Sequence, residues 1–211
     1  AAPEDVEKRM GPLLERVGDG TFYRIEQGQL RYLTVDGAYA DVVRPEGVPL
    51  GPFDADSTAE EVTAGMDLSG LTALVTGANS GLGFHTTLQL ARHGARVTMA
   101  VRDPGRGATA LAEVQQALAG TPTAGEVALA PLDLADLSSV AALADGVLES
   151  GDRLDLLVNN AGVMAIPRRT TVDGFEMQLG TNHLGHMALT LRLLPVLVRT
   201  ARESRTTRVV T

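Results

Sequence analysis

The sequence predicts an α/β protein: a doubly wound parallel sheet, incomplete on its C-terminal side, preceded by a small extension made of a helix and a β-meander. Three observations lead there. From about Ser57 onward, apolar runs rich in β-branched residues alternate with helical segments. A glycine-rich loop follows the first of these runs directly. A stretch with Pro45, Pro49 and Pro52 separates this pattern from a differently organised N-terminal part.

In the N-terminal part, Val6, Met10, Leu13, Leu14 and Val17 recur at helical spacing over 4–17, and Gly11-Pro12 breaks the pattern in the middle. Strands are expected over 22–26, 30–35 and 39–43, with turns near Gly28 and at Asp36-Gly37, a pair suited to a tight hairpin. All three tyrosines, Tyr23, Tyr32 and Tyr39, fall in this meander, where aromatics packing one face of a small sheet is the simplest reading. The resulting division is 1–56 for the extension and 57–211 for the main domain.

Within 57–211 the expected strands are 71–75, 96–101, 127–132, 154–158 and 208–211, all separated by helical segments. Strands joined through helices must run parallel, and a parallel sheet needs helices on both faces. A helix is expected from the glycine loop to about His93, ended by Gly94, and another from about Asp173, where Asp173 and Glu176 have capping-box spacing.

Composition narrows the function. At 211 residues and 44% hydrophobic, the chain can bury a real core. With 26 acidic and 18 basic residues, a net charge of −8 and no basic stripe, nucleic acid and anionic membrane are disfavoured as partners, and a small molecule is expected. The absence of cysteine removes thiolate chemistry and cysteine-ligated zinc and fits a reducing, cytoplasmic setting. No signal sequence or spanning segment is expected. His183 and His186, at i, i+3 spacing, could present two metal ligands, but no third ligand is placed to complete a site, and no metal is expected.

The strongest chemical signal is the passage from the run at 71–75 into Thr76-Gly77-Ala78-Asn79-Ser80-Gly81-Leu82-Gly83 and then a helix. The first glycine permits a tight turn, the middle one lets a pyrophosphate approach the backbone, and the last lets the helix pack closely. The free N–H groups and positive dipole of the helix start then face the anion. Gly77, Asn79, Ser80, Gly81, Leu82 and Gly83 are therefore candidate phosphate-loop contacts in a Rossmann-like arrangement.

The spacing Gly-x-x-x-Gly-x-Gly resembles that of the short-chain dehydrogenase/reductase family. Further motifs follow in family order: Asp133, with Leu134, after the third strand of the main domain, where the family contacts the adenine; Asn159-Asn160-Ala161-Gly162 after the fourth; and Thr181-Asn182-His183-Leu184-Gly185-His186 in the long helical segment. The resemblance covers about Ser57 to Thr211. It is nearest to the retinol-dehydrogenase-like and WW-domain-oxidoreductase-like branch, through Ser57-Thr58-Ala59-Glu60-Glu61-Val62, Asp67-Leu68-Ser69-Gly70 and Asn182-His183-Leu184-Gly185-His186. It implies Asp133, Leu134, Asn160, Ala161 and Gly162 as cofactor contacts. It also implies Asn182 as the catalytic asparagine, which bends its helix and holds a water in a proton relay.

Cofactor preference turns on the end of the second strand of that domain. NAD-preferring family members carry an acid there to bind the ribose hydroxyls, whereas this chain has Val101 and then Arg102, whose guanidinium can fork onto a 2′-phosphate. NADP(H) is favoured and NAD(H) is the alternative, since Asp103 could tie Arg102 into a local ion pair.

The family's serine and Tyr-x-x-x-Lys are not found: the one lysine is Lys8, and every tyrosine precedes the phosphate loop. The sequence reads as truncated before those residues and inactive by itself. The expected function is an NADP-dependent oxidoreductase of an alcohol or carbonyl, lipophilic by resemblance, whose partner is a completing C-terminal segment or a second copy in a homo-oligomer. The competing reading is a non-catalytic dinucleotide-binding or scaffold protein with an N-terminal interaction module.

Overall fold

The computed structural model describes residues 23–26, 29–33, 39–41, 53, 56–204 and 207–211. The chain divides into two units, Ala1–Asp56 and Ser57–Thr211. In the first, β1 (Tyr23–Glu26), β2 (Gln29–Leu33) and β3 (Tyr39–Asp41) form an antiparallel sheet in the order β1-β2-β3. This is the expected meander, with Tyr23 opposite Tyr32 in the register. The expected helix over 4–17, the Asp36-Gly37 turn, most of the proline-rich stretch and the side-chain packing of the tyrosines lie outside the described residues.

The second unit runs α1 (Ala59–Thr63), β4 (Thr72–Thr76), α2 (Gly81–Arg92), β5 (Arg96–Val101), α3 (Pro104–Leu118), β6 (Val127–Pro131), α4 (Leu137–Glu149), β7 (Leu156–Val158), α5 (Met177–Leu179), a π-helical turn (Gly180–Gly185), α6 (His186–Ser204) and β8 (Arg208–Val210). Its five strands are all parallel, in the order β6-β5-β4-β7-β8. The strand order reverses beside β4, which makes the C-terminal end of β4 the natural ligand crevice of such a sheet.

β4 shows why helices cover both faces. Ala73 and Val75 point to one side and join Val97, Met99, Val101, Leu88, Ala91, Ala110 and Val114 under α2 and α3. Leu74 points to the other and joins Leu157, Val140, Ala144, Leu189, Leu193 and Val196 under α4 and α6. The period-2 alternation of a strand thus feeds two separate cores, and both are close to fully dry. The N-terminal end of the sheet is pinned by Asp155, whose buried carboxylate accepts from the Thr72 N–H at 2.9 Å and from Arg153 at 2.6 and 2.9 Å.

The side beyond β7 is different. Every residue of β8 is exposed, and Val209 and Val210 are among the exposed large hydrophobics. α6 adds an exposed row of Met187, Leu191, Leu194 and Val198, one helix face at spacings of four and three. Among the described residues, β6 is partly buried, whereas β8 is exposed throughout. No helix of the described residues is long and apolar enough to cross a membrane.

Candidate functional site

At the end of β4 the chain turns through Gly77, whose φ of +64° favours glycine and whose added Cβ would sit 2.9 Å from the Cα and Cβ of Ala161. Gly83, in the first turn of α2, is held more tightly: a Cβ there would lie 2.6 Å from the Gly77 carbonyl oxygen and 2.5 Å from Asn160 Nδ2. The loop after β4, the start of α2 and the Asn-Asn-Ala-Gly loop after β7 therefore interlock at distances that leave no room for a side chain. Gly81 is different, because its φ is +55° with nothing within 4 Å, so conformation alone calls for glycine there.

Asn160 is the brace of this junction. Its Nδ2 donates to the Thr76 carbonyl at 2.9 Å and lies 3.4 Å from that of Gly77. The backbone N–H groups of Asn160 and Ala161 both donate to Thr76 Oγ1, at 2.9 and 3.0 Å. Thr76, fully buried, thus ties the two motifs together, a role the glycine spacing gave no hint of.

The helix starts of this unit are not alike. Thr58 and Glu61 form a reciprocal capping box on α1. Asp103 Oδ1 accepts from the N–H groups of Gly105 and Arg106 to cap α3, and these bonds, that to Arg106 first, hold its carboxyl below the usual range. Asp136 caps α4 through Ser138 and Ser139, with Asp173 accepting from Leu137 as well. α2 alone among these starts without a side-chain cap: Ser80 stands at its N-cap making no such bond, and its first turn carries no acid. Its amide donors and positive dipole end are left for something else to satisfy.

They open onto a cleft of about 380 Å³ lined by Gly77, Asn79, Ser80, Leu82, Ala100, Arg102, Leu132, Asp133, Leu134, Asn160, Ala161, Gly162, Val163 and Thr181. Ten of the cofactor candidates named from sequence line it. Gly81 and Gly83 do not, but they shape its wall from within α2. Leu82 is 80% exposed at the mouth, while Leu134 is buried in the floor. Asp133 is fixed in place, its N–H donating to Ser139 Oγ and its Oδ1 accepting from Ala135 N, each at 2.9 Å.

Arg102 stands exposed at the rim, just past buried Val101. Asp103 is committed to capping α3, and the neighbouring Arg102 charge adds only a lesser pull on its carboxyl, after the Arg106 and Gly105 N–H groups. A larger cavity, about 450 Å³, lies between α4 and the face of the sheet beneath it; it touches none of the motif residues and offers no uncapped helix start. The chemistry favours the smaller cleft.

The helix expected from Asp173 begins later. The structure corrects the capping box there: Glu176 is itself the N-cap of α5, accepting from the N–H groups of Gln178 and Leu179 at 3.0 and 2.9 Å, while Asp173 reaches across to α4. Sequence spacing could not separate the two uses of one carboxylate. The helix then widens into the π-helical turn that contains Asn182. There Asn182 is clamped onto the loop after β7: its Oδ1 accepts from Val163 N and its Nδ2 donates to Val163 O, both at 2.8 Å. Gly185 lets this turn pack against the backbone of Leu134, since a Cβ would collide with the Leu134 carbonyl.

His183 and His186 both border one recess but differ in exposure. His183 is exposed, whereas His186 is buried against Thr76 and the Asn182 carbonyl. Among the described residues no group of three metal-ligating side chains comes together.

The class this architecture defines is that of nucleotide-binding α/β folds with a glycine loop at the switch point of a parallel sheet. The short chain dehydrogenase family model matches residues 71–211, and the chain belongs to this family. Within it the chain is similar to retinol dehydrogenase 11 of Mus musculus, 46% identical over 148 residues, which are 70% of this chain and 44% of that protein. It is also similar to the short-chain dehydrogenase/reductase drtF of Aspergillus calidoustus, 50% identical over 133 residues, 63% of this chain and 41% of that one.

Among solved structures it resembles the Pseudomonas aeruginosa RhlG/NADP active-site complex, with a TM-score of 0.56 at 31% identity, over 68% of this chain and 52% of that one. The 3-ketoacyl-(acyl-carrier-protein) reductase of Brucella melitensis complexed with NADH gives 0.54 at 25% identity, over 68% and 56%. The chain spans less than half the length of these curated relatives.

Proposed function

We propose that this chain is the dinucleotide-binding portion of an NADP(H)-dependent oxidoreductase acting on an alcohol or carbonyl, lipophilic in character, and that these 211 residues alone bind the cofactor without turning substrate over. The observation that carries the reading is the uncapped start of α2, whose amides face a cleft lined by the glycine loop, Asp133 and the Asn-Asn-Ala-Gly loop. A pyrophosphate is the group that such a dipole end and a close-approach glycine loop accommodate.

Gly77, Asn79, Ser80, Gly81, Leu82 and Gly83 would hold the phosphates, Asp133 and Leu134 the adenine side, and Asn160, Ala161 and Gly162 the stretch leading to the nicotinamide. The bound cofactor supplies hydride chemistry at its nicotinamide ring. Arg102, exposed at the rim, is our 2′-phosphate partner. A buried valine at the end of β5 offers nothing to ribose hydroxyls, so NADP(H) is preferred over NAD(H). The relatives support a nicotinamide cofactor in general: the RhlG structure carries NADP and the Brucella reductase NADH.

Asn182 is the residue of this chain we assign to the proton relay. Its side chain is spent on Val163, so what it offers is the main-chain carbonyl of a widened helical turn. With Lys8 the one lysine and all tyrosines ahead of Gly77, the chain holds no Tyr-x-x-x-Lys to act as proton donor and tuned base, a loss commonly worth roughly 100- to 10,000-fold in rate. The cysteine-free composition suits a reducing compartment, and the cytoplasm is the location we propose.

The test is a calorimetric titration with NADPH and NADH of the chain and of its Arg102→Glu variant. NADPH is expected to bind more tightly to the parent chain. The variant is expected to lose roughly 10- to 100-fold for NADPH, with NADH changed little. Equal losses for both would reject the role given to Arg102, and no binding of either would reject the site.

A further inference from the structure

His186 opens α6 and is 4% exposed, yet neither the fold nor the cofactor contacts account for a buried imidazole there. Its two nitrogens face different partners: Nε2 lies 2.9 Å from Thr76 Oγ1, and Nδ1 lies 3.1 Å from the Asn182 carbonyl oxygen. The partners dictate where the proton sits. A carbonyl only accepts, so Nδ1 must carry the hydrogen. Thr76 Oγ1 already accepts the N–H groups of Asn160 and Ala161, which uses both of its lone pairs. Its single proton can then go to Nε2 at 2.9 Å or to the more distant Val158 carbonyl at 3.4 Å.

With Nε2 bare, every atom in the chain of bonds from Asn160 through Thr76 and His186 to Asn182 is satisfied. The other tautomer would aim a hydrogen at an oxygen with no lone pair left and set a nitrogen lone pair against a carbonyl.

We propose that His186, neutral and protonated on Nδ1, is a positioning residue of the cleft: one imidazole fixes the Thr76 hydroxyl as the acceptor that holds Asn160 and Ala161 and also anchors the Asn182 carbonyl in its π-helical turn, and a second proton on the ring uncouples the two walls. The inference rests on the reading of the cleft as a dinucleotide site.

Its surroundings give a charged ring no relief. The recess it shares is lined by Asn159 from the end of β7, Asn182 and His183 from the turn, Met187, Thr190 and Leu191 from α6, and Val209 and Thr211 from β8 and its end. Among the described residues that line it, His183 is the one titratable side chain besides His186, and none carries a side-chain carboxylate. Burial accordingly pushes the His186 pKa below the ordinary histidine range, with the Asn182 carbonyl acting in the opposite sense.

The test uses the 211-residue chain and two variants. His186→Gln keeps a donor and an acceptor without titrating, and His186→Leu removes both. Imidazole nitrogen NMR at about pH 7.5, with the ring assigned by its disappearance in the glutamine variant, is expected to show a protonated Nδ1 and a bare Nε2. NADP⁺ titrations in the parent chain are expected to weaken as pH falls from about 7.5 toward the lowered His186 pKa, by less than about tenfold at about pH 5.5 and more steeply below it. The glutamine variant should bind near the parent's neutral-pH affinity and show a shallower fall, that of the ligand's own phosphate, and the leucine variant should be weak at both.

A proton on Nε2 at neutral pH, or a pH dependence unchanged in the glutamine variant, would overturn the proposal. Absence of NADP⁺ binding in all three proteins would instead sink the cofactor reading, and the ring tautomer would still decide whether His186 makes the bonds that define its role.

Discussion

The starts of α2 and α3 sit side by side at the C-terminal ends of adjacent parallel strands, and they are built on opposite plans. α3 closes on itself: Asp103 caps two amides, Pro104 occupies the first turn and a carboxylate sits on the positive end of the dipole. α2 keeps its end open, with Ser80 making no capping bond and glycines at 81 and 83 in its first turn. A helix start that satisfies its own donors is a stability device, and one that leaves them bare beside a cleft is a binding device. The two cannot be maximised at the same place.

The comparison can be broken at its tightest point first. Gly83→Val puts side-chain atoms into space already held by the Gly77 carbonyl and Asn160, an overpacking that costs about 1–3 kcal/mol of stability. It should abolish measurable NADPH binding while a thermal melt still shows a folded chain; retained binding would mean the interlock of the three loops is not what shapes the cleft.

Next in size, Ser80→Asp converts the α2 start to the α3 plan. Its carboxylate caps the helix and repels the phosphates, so the melting temperature should rise slightly while NADPH affinity falls by about tenfold or more. Movement of both quantities in the same direction would contradict the trade-off.

Smallest is Asp103→Ala, expected to lower the melting midpoint by about 2–4 °C and to leave dinucleotide affinity within about twofold. The sign with pH is fixed by the lowered folded-state pKa of Asp103, whose first cause is the Arg106 N–H. The stabilisation is fully present above the ordinary carboxylate range and fades as pH falls through the lowered value. The difference between parent and variant melts should therefore close at acid pH.

Much of this was legible in the residues. Apolar runs rich in β-branched residues, separated by helical segments, placed all five parallel strands to within a residue or two, and the central strands, buried on both faces, have little choice of composition. Gly94, at φ +99°, ends the helix region where glycine was read as its stop. Ten of the twelve candidate cofactor contacts line one cleft, since a glycine loop and the loops after neighbouring strands must converge at the same end of a parallel sheet.

What failed was local competition among carboxylates. Asp173 and Glu176 have the spacing of a capping box, but Leu137 offered Asp173 a partner thirty-six residues away and Glu176 took the helix start alone. The reciprocal pair at Thr58 and Glu61 did form, and its spacing in the sequence carried the same signal.

The residues alone determined the kind of fold and the position of the glycine loop at the end of its first parallel strand, because these depend on periodicity and glycine. Only the tertiary structure decided which glycine is sterically indispensable, that Thr76 rather than any charged group joins the two motifs, and that a histidine from a distant helix closes that junction. Those facts concern which atoms meet across more than eighty positions of chain, and a hydrogen bond between such partners leaves no pattern in the sequence around either one.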